Sequence, residues 1–213
     1  MVTTTRGRIL QVLQSKKRAS AEELARELIL ASGSVRRHLD VLQREAEITY
    51  TEVRRSTGRP HFRYTLTERG QGRLPQSCHT LASQLLREIT SFQPQEIEGR
   101  SGREMLDLAL ARAARELVAT YSHRFSQTSL RGRVSALSQL LTDNGFMSEW
   151  QEEQDGYRLM AFHCPYYPVA VLERQVCSLD GHFIGGILKV PVRQTASLLD
   201  GDHSCVYRIE KEA

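Results

Sequence analysis

Cysteine is scarce in this chain, with four among 213 residues, and tryptophan is scarcer, with one. No two cysteines stand two to four residues apart, which excludes the short-spaced knuckle that structural zinc usually uses. No apolar run reaches the ~18 residues a membrane span needs, so no membrane association is expected. The opening segment MVTTTRGRIL lacks the apolar centre of a secretory signal. The expected location is therefore the cytoplasm, where disulfides are rarely kept and thiols stay free or hold metals. There is no glycine-rich phosphate loop and no paired-carboxylate motif, so an enzyme is not expected. His163 and Cys164 do not make a nucleophile–base pair either, because adjacent residues on a strand point to opposite faces.

What is present is a chain with enough apolar residues (40%) for a globular core, and an uneven charge. Residues 1–75 hold 15 Lys and Arg against 8 Asp and Glu, while the remainder holds 14 against 17. That asymmetry suggests a front part facing a polyanion and a back part with another task.

The front part has helical periodicity three times over. Ile9, Leu10, Val12 and Leu13 make one apolar face, and Leu24, Ala25 and Leu28 a second. Ser20 with Glu23 three residues on has the capping-box pattern that starts the second helix. Val35, Leu39 and Leu42 form a third face, with Gly33 near its start. The period then changes to two at Ile48/Tyr50 and at Phe62/Tyr64/Leu66, with RRSTGRPH as the turn between the strands. Three helices and a basic-tipped hairpin constitute a winged helix-turn-helix. Its expected partner is double-stranded operator DNA. Ser32, Ser34, Arg36, Arg37 and His38 lie early on the third helix, where base and phosphate contacts concentrate, and Arg is the common bidentate reader of guanine. His38 has the alternative of packing beside Leu39. In the wing, Arg54, Arg55, Arg59 and His61 would lie along phosphates or enter the minor groove.

The middle offers a helix at CHTLASQLLREIT and a longer one at GREMLDLALARAARELVATY, whose stripe is Met105, Leu108, Ala109, Ala113, Leu117 and Val118. Intramolecular core would explain that stripe, but a homodimer interface is the preferred reading, since two-fold operators are read by dimers. Cys78 is read as an ordinary small residue. The back part has a helix over Val134, Leu137, Leu140 and Leu141, and a hairpin at Asp155-Gly156. Helical segments follow around Val169–Cys177 and Asp180–Leu188, then two closing strands around Asp200-Gly201-Asp202. The fold class is α+β: a winged helix at 1–74, a helical linker and dimerisation segment at 75–128, and a small α+β sensor domain at 129–213.

Cys164 is placed at the end of a strand, Cys177 on or after a helix and Cys205 at the start of the last strand. Three elements could bring three soft sulfur donors to one point, which would suit zinc, Cu(I) or an iron–sulfur cluster. Buried inert cysteines are the alternative.

The segment SVRRHLDVLQREA…STGRPHFRYTLTERG resembles the winged-helix regulators of the ArsR/DeoR-like group, over most of residues 5–72. HCPYYPVA…VC…VPVRQTASLLDGDHSCVYRI resembles the C-terminal half of SufR-type regulators, iron–sulfur-sensing repressors of cluster-assembly operons. With the front part, the similarity extends over nearly the whole chain. The resemblance implies a transcriptional repressor that binds a 4Fe-4S or 2Fe-2S cluster through Cys164, Cys177 and Cys205. Two departures stand out. Glu-Ala-Glu-Ile at 45–48 replaces the usual glycine before the first wing strand. No further cysteine stands between Cys177 and Cys205, so the fourth ligand is open among His163, His182, His203, Asp202 or an exogenous group. The alternative function is a winged-helix regulator that responds to zinc or a small-molecule effector.

Overall fold

The structure is a computed structural model that describes residues 4–53, 61–125 and 129–211. It is an α+β fold that divides into two compact units, Met1–Gln76 and Ser77–Ala213.

In the first unit, helices α1 (Thr5–Lys16), α2 (Ala21–Leu28) and α3 (Ser32–Arg44) precede a hairpin of β1 (Ile48–Val53) and β2 (His61–Leu66) and a short helix α4 (Glu68–Gly72). The predicted faces are the buried ones save for Val12, which is half-buried: Ile9, Leu10 and Leu13, then Leu24, Ala25 and Leu28, then Val35, Leu39 and Leu42. Local chemistry fixes the start of α2. The Ser20 hydroxyl accepts from the Glu23 amide at 3.2 Å, and the Glu23 carboxylate accepts from the Ser20 amide at 2.7 Å. Two orphan donors of the helix end are thereby satisfied. The helix stops at Ile29, which is left-handed at φ 55 and 90% exposed, a strained and solvated state for a β-branched residue. The wing strands pair antiparallel from Ile48↔Leu66 to Val53↔His61, and Ala19 adds a backbone bridge to Tyr64.

The turn before β1, which has no glycine, is nonetheless built in a glycine-like conformation. Ala46 sits at φ 56, and its carbonyl accepts from the Thr67 hydroxyl at 2.7 Å. Thr67 also caps α4 by accepting from the Gly70 amide at 3.1 Å. A Cβ on Gly70 would lie 1.9 Å from the Glu47 carbonyl oxygen, so only glycine fits there. The sequence Leu-Thr-Glu-Arg-Gly at 66–70 is thus a latch that closes the hairpin onto the turn after α3.

The second unit holds α5 (Cys78–Ser91), α6 (Pro94–Ile97), α7 (Gly102–Tyr121), α8 (Leu130–Asp143), α9 (Tyr167–Ala170) and α10 (Ser178–Leu188). Its sheet is formed by β3 (Ser148–Glu153), β4 (Gly156–Ala161), β5 (Val192–Ala196) and β6 (Cys205–Glu210), antiparallel in the order β3-β4-β6-β5. One face of the sheet, through Tyr157, Leu159, Ala161, Cys205, Tyr207 and Ile209, joins a single core with Leu81, Leu110, Ala113, Val134, Leu137, Ile184 and Leu188. The other face holds a smaller cluster of Met160, Phe162 and Val206.

Two expectations change here. The helices of 75–128 do not form a segment of their own, because Leu81, Leu110, Ala113 and Ala114 belong to the same core as the C-terminal strands. The stripe on α7 is therefore core. Ala109 and Ala113 are fully buried, and Leu117 and Val118 pack against the core. Its partner is α10, which approaches so closely that a Cβ on Gly186 would lie 2.6 Å from Val118 Cγ2. The large apolar residues left facing outward in this unit are Leu86 and Ile89 on α5, Ile97 on α6, and Val171 and Leu172 just after α9.

Candidate functional site

Two sites are predicted, one in each unit. On α3, burial of Val35, Leu39 and Leu42 turns Gly33, Arg36, Arg37 and Asp40 outward. Ser32, Ser34 and His38 are half-buried at the edges of that face. Arg36 is already engaged: its Nη2 donates to Glu22 Oε1 on α2 at 2.6 Å. Both side chains are more than half exposed, so the pair is worth at most about 1 kcal/mol and yields readily to a phosphate or base. The α2 backbone and then Arg36 hold the Glu22 carboxyl below its ordinary range. Among the described residues Arg37 makes no ion pair, and it projects as a free guanidinium. Gly33 has nothing within 4 Å of where a Cβ would stand, so packing does not explain a glycine there. It leaves the first turn of the helix open to close approach from outside.

In the wing, Arg54, Arg55 and Arg59 lie outside the described residues. His61 opens β2 with its Nδ1 buried and without a hydrogen-bond partner. Tyr50 and Phe62 stand exposed on the hairpin with ring centroids 4.8 Å apart, edge to face. The alternation of the strands marks these aromatics, but not that they remain at the surface.

The thiol site is built from three elements. The strand expected to end at Cys164 stops at Ala161, and Cys164 lies three residues beyond it in a loop. Ala161 pairs with Cys205, the first residue of β6, which brings the loop and the last strand together. Cys177 ends a 3-10 turn (Arg174–Cys177) and caps α10. Each thiol feels the charge of neighbours in the group. Burial raises Cys164 far above the ordinary thiol range, with Asp180, Cys205 and Cys177 adding to the rise. Burial pushes Cys177 up to about 11, reinforced by Asp180 and Cys205, and burial also raises Cys205. Tyr166 and Tyr207 border the same locus and are raised in turn by burial and by Asp180. Two sulfurs are met by donors. The Tyr166 amide points at the Cys164 sulfur, and the Leu198 amide and Ser197 hydroxyl at Cys205, which favours the thiolate in both cases.

Sequence reasoning missed Asp180. It lies three residues after Cys177 on α10, a spacing that shares a helix face, and that was the available signal. Burial alone pushes its carboxyl up to about 7. Of the named candidates for a further ligand, Asp202, His203 and His182 are placed elsewhere. Asp202 accepts from the Ser197 amide at 2.8 Å and is exposed. His203 packs on the Phe162 ring at 5.3 Å, with the cluster on the sheet's other face. His182 is exposed on α10, and His163 is buried beside Cys164. Cys78 is nearer than expected: its thiol lies 3.7 Å from the Pro165 carbonyl, next to Cys164.

Three thiols are the donor type that zinc, Cu(I) or an iron–sulfur cluster takes. Among the described residues no three His, Cys, Asp or Glu side chains stand together as a group that could hold a metal ion.

A winged helix with a basic, outward-turned third helix defines the class: a DNA-binding transcription regulator. The family match bears on the helix-turn-helix alone. A family described as Helix-turn-helix domain matches residues 3–49. Among solved structures, Bacillus subtilis PadR in complex with operator DNA is similar at 16% identity. That match covers 88% of this chain and 99% of the other, with a TM-score of 0.31. Among curated proteins nothing matches. No helix among the described residues is long and apolar enough to cross a membrane.

Proposed function

We propose that this chain is a SufR-type cytoplasmic repressor, a homodimer on operator DNA, whose C-terminal unit holds an iron–sulfur cluster through Cys164, Cys177 and Cys205. What supports the reading is that Cys164, Cys177 and Cys205, from three separate elements, act electrostatically on one another, and that the Ala161–Cys205 pairing sets the Cys164 loop near the last strand. A bound cluster would supply a centre whose presence and oxidation state change with iron and oxidant supply. A single zinc needs its sulfurs about 2.3 Å from one ion. A cluster spreads its ligands over more than one iron.

The chain's own residues account for how such a site would be felt. Cys177 opens α10, and α10 is wedged against α7 at Gly186 and Val118. A pull on the start of α10 therefore loads a contact that has no slack. Arg174 ties the turn before Cys177 to the β5–β6 connection by two bonds to Asp200, of 2.7 and 2.6 Å. Gln175 ties the same turn to α7 through the Arg103 carbonyl and Asp107. A coupling of about 1–3 kcal/mol between site and DNA would change affinity about 5–150-fold.

The test is purification and reconstitution without oxygen, followed by iron and sulfide analysis and by selection of bound fragments from genomic DNA. The expected result is a coloured protein whose affinity for a selected fragment changes at least fivefold on cluster removal. A colourless chain holding zinc, or one with no metal, overturns the reading of the thiols. A chain that selects no fragment overturns the reading of the winged helix.

A further inference from the structure

We propose that the hairpin of the winged helix binds duplex DNA through an aromatic face, with Tyr50 donating a hydrogen bond to a backbone phosphate and Phe62 packing on a neighbouring deoxyribose. This rests on the DNA reading above and adds two residues that neither charge nor helix position singles out.

The strand pairing sets the face. β1 and β2 pair Ile48↔Leu66, Tyr50↔Tyr64 and Glu52↔Phe62, so these six side chains share one side of the hairpin. Ile48 is 2% exposed and β1 packs on α3, so this is the side turned toward the helices. Exposure rises away from the core: Tyr64 and Leu66 are half-buried, whereas Tyr50 and Phe62 are each 42% exposed. The opposite side carries Thr49, Thr51, Arg63 and Thr65, the polar set that a solvated strand face takes. The uncovered rings are therefore confined to the side on which α3 lies.

The rings form one surface. Tyr50 stands between the others, 4.8 Å from Phe62 and 6.1 Å from Tyr64, centroid to centroid. Burial and then Asp40 raise the Tyr64 hydroxyl while Arg36 lowers it, in keeping with a ring beside the outward side of α3. Among the described residues no hydrogen bond engages the Tyr50 hydroxyl. A cross-strand aromatic pair steadies a hairpin on either side of it. That role does not account for rings left open beside the one helix turned toward DNA.

Dimensions and charge name the occupant. The major groove is about 12 Å wide and a helix with its side chains about 10–12 Å across, so a helix seated there fills it. An element packed beside that helix meets the wall of the groove, which is sugar and phosphate. Residues 1–75 carry 15 Lys and Arg against 8 Asp and Glu, which favours a polyanion over a neutral or acidic partner. Glu52, across from Phe62, repels phosphate there, so the sugar belongs at Phe62 and the phosphate at Tyr50. A tyrosine, with an apolar ring and a polar tip, suits that boundary. Such contacts release no counterions and read no bases, so they set the position of α3 on the duplex without the salt dependence of an arginine.

The full chain is measured as wild type, Tyr50→Phe, Phe62→Leu and Phe62→Ala. Fluorescence anisotropy reads binding to a fragment selected from genomic DNA and to a duplex of random sequence, over a range of salt. Thermal melting and sedimentation are read alongside. Tyr50→Phe keeps the ring pair, so it should melt as wild type yet bind both duplexes about tenfold more weakly. Phe62→Ala should weaken both in the same way, with Phe62→Leu between it and wild type. The slope of log affinity against log salt should stay as in wild type for all three, whereas loss of an arginine–phosphate contact flattens it by about one. If Phe62→Ala melts early, Tyr50→Phe and Phe62→Leu decide. Wild-type affinity of Tyr50→Phe for both duplexes overturns the inference, and so does a loss confined to the selected fragment, which would mark a base contact. A changed oligomeric state with unchanged DNA affinity gives the face to a second copy and overturns it as well. A wild type that binds neither duplex fails the DNA reading itself, a result distinct from wild-type binding that Tyr50→Phe leaves untouched.

Discussion

Replacing Asp180 with Asn should flatten the pH dependence of the metal-free protein's stability. Burial pushes the Asp180 carboxyl from its ordinary 3.8 up to about 7. The groups that act with it at the site are Cys164, Cys177, Cys205, Tyr166 and Tyr207, all neutral in this range because burial raises each of them. Between the two carboxyl values the folded chain holds a proton that the unfolded chain has released, so stability falls as pH rises. The contribution is fully present below about pH 4 and is lost as pH passes through 7. At about 1.4 kcal/mol per unit, the full change is about 4 kcal/mol. Asn resembles the protonated acid and cannot ionise. Near pH 4 the variant should match wild type, and at pH 8 it should be more stable by up to about 4 kcal/mol. Glu22, Glu104 and Asp200, whose carboxyls are lowered, act in the opposite direction but remain in both proteins and cancel in the difference. Urea unfolding followed by emission from Trp150, the chain's one tryptophan, reports the unit that contains Asp180. Equal slopes of stability against pH in the two proteins would refute the argument.

Three other perturbations test the remaining structure. Ala46→Gly should raise the stability of the winged helix by about 1 kcal/mol, because glycine relieves the left-handed strain at φ 56; a loss in thermal melting would contradict the turn. Arg37→Ala should cost about 1–3 kcal/mol at a selected DNA site, whereas Glu22→Gln should tighten binding by at most about 1 kcal/mol by freeing Arg36. Fluorescence anisotropy reads both, and no effect from either would remove α3 from the DNA contact. Ile89→Glu should turn a dimer into a folded monomer in analytical ultracentrifugation, whereas Leu117→Glu should unfold the unit by burying a charge. A dimer unaffected by Ile89→Glu would take α5 out of the interface.

Much of the first unit was legible because its signals are local. The Ser20–Glu23 capping box, the three apolar stripes and the period-two strands each arise within a few residues of chain. The structure places them where those patterns predict. The latch at Thr67 and Gly70 was legible as a pattern, but its reason is contact with Glu47 and Ala46, some twenty residues away. In the second unit, periodicity marked a buried stripe on α7 without saying what would bury it. A stripe records only that one side of a helix avoids water, and a partner molecule or the chain itself satisfies it equally. Gly186, sixty-eight residues from Val118, decided in favour of the chain itself. The three cysteines were conspicuous by scarcity, whereas Asp180 was one of 25 acidic residues and carried no mark. Its distinction comes from the partial burial that raises its carboxyl, and from the electrostatic effect it has on Cys164, Cys177 and Cys205. Sequence alone determined which residues favour helix, strand, turn or soft-metal chemistry, because those preferences belong to short stretches of chain. Tertiary structure alone decided which of them meet, because contacts between distant segments depend on how whole elements pack and leave no period in the sequence.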